Sequence, residues 1–154
     1  MEVVIGLLAL GAAWAALGQT TPARQPTQAQ AARQFLTAVV RGNYPQAYAR
    51  LAPEVTRAIS LAKFRATARP IRVRALRLGT GITLYKLGVR LAARGSARLF
   101  YTFSFAADSV LATPSVMLEA TFRDTTARQI LSFTMREAVR ERPLAPPVPR
   151  KRPR

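Results

Sequence analysis

The sequence predicts an α+β domain: amphipathic helices at the front, an antiparallel sheet behind them. Three observations carry this. Apolar residues recur at three- and four-residue spacing up to about residue 64, alternate with polar ones from Ile71 onward, and turn residues separate the alternating runs. The expected architecture is N-terminal helices packed on a curved, cone-like antiparallel sheet of four to six strands.

The first helix is expected over Gln28–Arg41, where Ala32, Phe35, Leu36, Val39 and Val40 form one stripe and Gly42-Asn43 supplies the stop. A second follows over Pro45–Leu51, with Pro45 tolerated in the first turn and Ala52-Pro53 ending it. Ser60 offers an N-cap to a third, short helix carrying Leu61 and Phe64, and Pro70 is expected to close the helical half. Ile71, Val73 and Ala75 then alternate with Arg72 and Arg74 as a first strand. Tyr85, Leu87, Val89 and Leu91 mark one face of the next; Leu99, Tyr101, Phe103 and Phe105 mark another. Val116, Leu118, Ala120 and Phe122 follow, and Ile130–Glu137 reads as a last strand with apolar residues on both faces. Arg94-Gly95, Ala107-Asp108-Ser109 and Asp124-Thr125-Thr126 are the expected joints.

Both ends differ from this domain. Val3–Leu17 is apolar and uncharged, short for a membrane span and suited to a signal-peptide core, with small residues at Ala16 and Gly18 before Gln19. Met1-Glu2 departs from the pattern, because a leader carries positive charge there. The expected organisation is a signal peptide or membrane anchor over 1–18, a linker over 19–27, the α+β domain over 28–138, and a disordered, basic, proline-rich tail over 139–154. Export, or anchoring by the N-terminal segment, is the expected localisation.

Composition limits the chemistry. The 154 residues include no cysteine and no histidine, so a disulfide, a thiolate nucleophile, an imidazole base and a lipid-anchored cysteine are all excluded. Lysine and arginine number 24 against 7 acidic residues. Such a charge suggests an anionic partner, although arginine and alanine abound together, a bias that GC-rich coding also produces.

The stretch Ala32–Tyr48, followed by Leu51-Ala52-Pro53, Ile59-Ser60 and Phe64, resembles small bacterial domains of the nuclear-transport-factor-two-like superfamily. The shared cadence is Phe35-Leu36, then Gly42, Tyr44, Ala47-Tyr48, Leu51 and Pro53. The resemblance implies helices lying in the concavity of a bent sheet, forming a cone with a pocket. The same cadence also has a local origin, in a helix stop, two tyrosines at four-residue spacing and a terminating proline. Fold alone implies no particular function.

A catalytic constellation is not expected. Asp108 and Asp124 sit in turns, Glu54 complements a helix start, Glu137 ends a strand, and Glu119 is mid-strand on the face expected to meet solvent. Tyr85, Tyr101, Phe103 and Phe105 share the inward faces of neighbouring strands; they are the candidate ligand pocket, although ordinary core aromatics are the commoner outcome for such residues. Gly79-Thr80-Gly81 lacks the lysine and following helix of a phosphate loop, and neither a metal nor a cofactor is expected. In the tail, Arg150, Lys151, Arg152 and Arg154 are candidate contacts to a polyanion, an anionic membrane or an envelope polymer. Nucleic acid is disfavoured, since no aromatic platform interleaves the basic residues. The leading expectation is a non-catalytic domain binding a small ligand or a protein partner in the cell envelope. The alternatives are a small pocket enzyme of isomerase or dehydratase type and a polyanion-binding protein. The two-sided apolar strand at Ile130–Met135 points weakly to a homodimer.

Overall fold

The computed structural model of the chain describes residues 25–91, 96–111 and 113–138. The expected leader, most of the linker, the Arg94-Gly95 joint and the tail, including Arg150, Lys151, Arg152 and Arg154, lie outside the described residues. Among the described residues four α-helices precede four strands: α1 Gln28–Arg41, α2 Tyr44–Tyr48, α3 Pro53–Ala58, α4 Leu61–Leu78, β1 Ile82–Leu91, β2 Ala97–Phe105, β3 Val116–Thr121 and β4 Ser132–Glu137. The strands pair antiparallel in the order β1-β2-β3-β4. The fold is therefore α+β, helices first, with an open meander behind.

Helix α1 begins and ends where its sequence says. Thr27 caps it in a capping box, its Oγ1 accepting from Gln30 N while Gln30 Oε1 accepts from Thr27 N at 2.8 Å. Gly42 closes it with φ 78°, a conformation that costs a side chain and suits glycine. One face of α1 packs on β1, β2 and β3, and the helix also contacts α2 and α4.

The aromatic cadence becomes the centre of the core. Phe64 of α4 meets Phe133 of β4 at 5.4 Å between ring centroids and Tyr48 at 5.7 Å, and Phe35 of α1 meets Phe133 at 5.3 Å. The Tyr48 hydroxyl donates to the Ile59 carbonyl at 2.7 Å, so this half-buried tyrosine also satisfies an orphan carbonyl at the end of α3. Phe133 explains why β4 is apolar on the side that meets the helices. Ile130 is fully buried, in a parallel bridge with Leu51, and Phe133 is half-buried.

Two expectations need correction. Pro70 does not end the helical half; it lies inside the 18-residue α4. Ile71 and Ala75 are buried on that helix at four- and three-residue spacing with Phe64 and Ala68, so the run read as a strand belongs to a helical stripe. Burial of that stripe outweighs the i→i−4 bond that Pro70 cannot donate to Ala66. The second correction concerns β1. A bulge between Leu84 and Lys86 shifts its register, so Leu84 pairs with Phe103 but Leu87 pairs with Tyr101, leaving Tyr85 without a partner.

Beyond that bulge the helices no longer cover the sheet. Leu87, Val89 and Leu91 share the face of Tyr101 and Leu99, yet are 62%, 58% and 81% exposed.

Candidate functional site

The sequence-expected pocket residues do not gather. Phe103 and Phe105 are buried core side chains, with the Arg33 guanidinium over the Phe103 ring. Tyr101 is half-buried, edge-on to Phe122 at 5.7 Å. Tyr85 stands at the bulge, exposed, with the Lys86 ammonium 5.9 Å from its ring.

The carboxylates among the described residues are all engaged in local structure. Asp108, buried rather than merely in a turn, accepts through Oδ2 from the Ser115 hydroxyl and from Val116 N at 3.2 Å, tying the turn after β2 to the start of β3. Asp124 Oδ1 accepts from Thr126 N and Ala127 N, both at 2.8 Å, and these bonds with the Thr126 hydroxyl hold its carboxyl below the usual range. Glu54 pairs with Arg123; a backbone bond first, and Arg123 second, lower its pKa. Glu137 pairs with Arg74.

Glu119 departs from its expected exposure. It does lie on the outer sheet face, but only 7% of its side chain is exposed, and it makes a bidentate pair with Arg90 at 2.8 and 2.9 Å. The Arg90 guanidinium also sits 4.5 Å from the centre of the Phe100 ring, and the carboxylate raises its pKa above the ordinary arginine value. The long side chains on this face thus roof the polar residues between them. Thr102 is buried there as well, and its Oγ1 has no hydrogen-bond partner. Among the described residues no cluster of three acidic side chains is placed to hold a metal ion.

A separate site lies between α4 and β4. A cleft of about 480 Å³ is lined by Ala66, Arg69, Pro70, Val73, Arg74, Arg77, Met135 and Glu137. Its chemistry follows from the helix. Phe64, Ala68, Ile71 and Ala75 turn one side of α4 to the core, which leaves Ala62, Ala66, Arg69, Val73 and Leu76 along the opposite side. Val73 is 43% and Leu76 69% exposed. From the sheet, Met135 and Glu137 stand opposite Leu118 and Val116 on the helix-facing side of β4.

Ala66, Pro70, Val73 and Met135 therefore make an apolar floor, and Arg69, Arg74 and Arg77 a basic rim. Arg74 is held by Glu137. No carboxylate among the described residues pairs with Arg69 or Arg77. Helix α4 carries six basic residues and no acidic one. Like charges at Arg65 and Arg69, Arg69 and Arg72, and Arg74 and Arg77 are spaced to repel along its surface, costing about 0.2–0.5 kcal/mol per pair. One of the six has a structural role, since Arg72 Nη1 donates to the Val40 carbonyl at 2.7 Å and satisfies the end of α1.

Sequence reading missed this cleft because it took residues 71–75 as a strand. The signal was present in the helical spacing of Ala62, Ala66, Arg69, Val73 and Leu76. Comparison with protein-family models, with curated proteins and with solved structures finds no match to the chain.

Proposed function

We propose that this chain is a non-catalytic binding domain that takes an anionic amphiphile, a molecule with a carboxylate or phosphate head and an aliphatic body, into the cleft between α4 and β4. The observation that carries the reading is the pairing of an apolar floor with a rim holding Arg69 and Arg77, two arginines that no carboxylate among the described residues pairs with. The floor offers the aliphatic body a surface to leave water against, and the guanidinium groups meet the head in a fork geometry suited to oxyanions. The uncharged run Val3–Leu17 supports placing the domain in the cell envelope, delivered by a leader or tethered by it. Among the described residues no helix is long and apolar enough to cross a membrane. A pocket enzyme of isomerase or dehydratase type draws no support from carboxylates already committed to ion pairs, turns and caps.

The test is a fluorescence titration with 11-(dansylamino)undecanoate. Saturable binding is expected, weakened at least tenfold in the double variant Arg69→Glu, Arg77→Glu and weakened by added salt. Equal affinity in wild type and double variant sinks the reading.

A second reading is favoured by Leu76, 69% exposed beside Val73 on the same helix side. In it, α4 lies on an anionic membrane, with apolar side chains in the interface and arginines at the headgroups. Vesicles separate the two. Membrane docking predicts that Leu76→Ser lowers retention on phosphatidylglycerol vesicles while leaving dansyl-undecanoate affinity unchanged.

A further inference from the structure

The α4 cleft is not the only basic recess. On the other side of α1, a cavity of about 380 Å³ is lined by Arg33, Gln34, Thr37, Ala38, Arg41, Gln46 and Arg50. Arg33, Thr37 and Arg41 follow one another at four-residue spacing along one side of α1, which sets the two arginines about 12 Å apart along the axis with the threonine hydroxyl between them. Gln46 comes from α2 and Arg50 from just beyond it.

Every polar side chain in this lining offers a hydrogen to a guest, and none is acidic. Gln46 has its Oε1 taken up by Asn43 Nδ2 at 3.1 Å, so its amide hydrogens are what it has left to offer. Arg50 supplies the most pointed observation. Its Nε is buried and has no hydrogen-bond partner, while its backbone is fixed by the bridge to Ile130, whose N–H donates to the Arg50 carbonyl at 2.9 Å. A buried guanidinium N–H without an acceptor is an incomplete arrangement. No carboxylate among the described residues pairs with Arg33, Arg41 or Arg50.

From this lining we infer that the α1–α2 cavity is an oxyanion site, taking a phosphate group by donation from Arg33, Arg41 and Arg50 with Thr37 and Gln46 between them. A tetrahedral oxyanion accepts on all sides, which matches a recess with three arginines and no carboxylate in its lining. The cavity has room for a small organic body attached to the phosphate. Soluble phosphomonoesters and phospholipid headgroups share that chemistry. This site is separate from the α4–β4 cleft and stands whether or not the cleft binds an amphiphile.

The test is an arginine Nε–Hε correlation spectrum of the full chain, titrated with inorganic phosphate and, at matched ionic strength, with sodium chloride. Saturable movement of the Arg50 signal with phosphate alone is expected. The exposed-site variant Arg41→Gln keeps the fold and weakens phosphate at least tenfold, as does Arg33→Gln. A linear drift, an equal response to chloride, or unchanged affinity in Arg41→Gln would overturn the inference. Competition then identifies the source: glycerol 3-phosphate displacing the phosphate assigns soluble esters, and phosphatidylglycerol vesicles displacing it assign headgroups. Failure of both to compete also overturns it.

Discussion

Gly88 is the position at which the outer sheet face is most sharply constrained. It lies opposite Phe100 in the β1–β2 register, and a Cβ added there would stand 2.5 Å from Phe100 Cζ and 2.8 Å from Cε1. Carbon atoms in good contact are about 3.5–4.0 Å apart, so the ring must withdraw by about 1 Å. The ring is not free to do so at no cost, because it carries the Arg90 guanidinium, and that guanidinium is fixed to Glu119 through two hydrogen bonds. Overpacking of this kind costs about 1–3 kcal/mol, while alanine's smaller backbone entropy loss returns about 0.5–1 kcal/mol. Gly88→Ala should therefore destabilise the domain by about 1–2 kcal/mol, lowering a urea midpoint by about 1 M. The decisive assay is a double-mutant cycle with Phe100→Ala. Removing the ring removes the collision, so Gly88→Ala should cost nothing, or stabilise slightly, in that background. An equal cost in both backgrounds would refute the collision, as would a wild-type background that gains stability from the alanine.

Three further outcomes follow from the structure. Asp108→Ala leaves the Ser115 hydroxyl and Val116 N–H without their acceptor and should cost about 1–3 kcal/mol in equilibrium unfolding, whereas an unchanged midpoint would show the carboxylate to be idle. Asp124 and Glu54 have lowered pKa values, so each contributes stability that is present above the ordinary carboxylate pKa and lost as pH falls through its folded value. Asp124→Asn should flatten the acid limb of a stability–pH profile below about pH 4 and leave its neutral shape unaltered. Leu87→Thr and Val89→Thr, on the uncovered end of β1, should each change stability by less than about 0.5 kcal/mol, against about 2–5 kcal/mol for Leu118→Ala in the core.

The helices were legible where local chemistry decided them. Helix α1 runs over Gln28–Arg41 and stops at Gly42 as read, Ser60 caps α4 through its hydroxyl, and Asp124 forms the turn its position implied. The alternation in β2 and β3 also carried through to Phe103, Phe105, Leu118 and Ala120 in the core. What failed was arbitration between periods. Residues 71–75 alternate like a strand, but only a view back to Phe64 and Ala68 shows the longer helical repeat, and Pro70 concealed it by imitating a stop. In β1 the alternation was real, but one bulged residue separated Tyr85 from the face of Leu87, and nothing in the sequence marks where helix cover ends. The burial of Glu119 depends on Arg90 reaching across from another strand. Such contacts between distant segments are invisible to spacing, and both basic recesses are built from them.

The central claim is that the α4–β4 cleft binds an anionic amphiphile, and the methionines test it directly. Met135 lines the cleft, whereas Met117 lies on the outer sheet face beside Arg90 and Glu119. With methyl-labelled methionine, titration with decanoate should move the Met135 signal saturably and leave Met117 in place. A shift at Met117 instead, or none at either, would contradict the account.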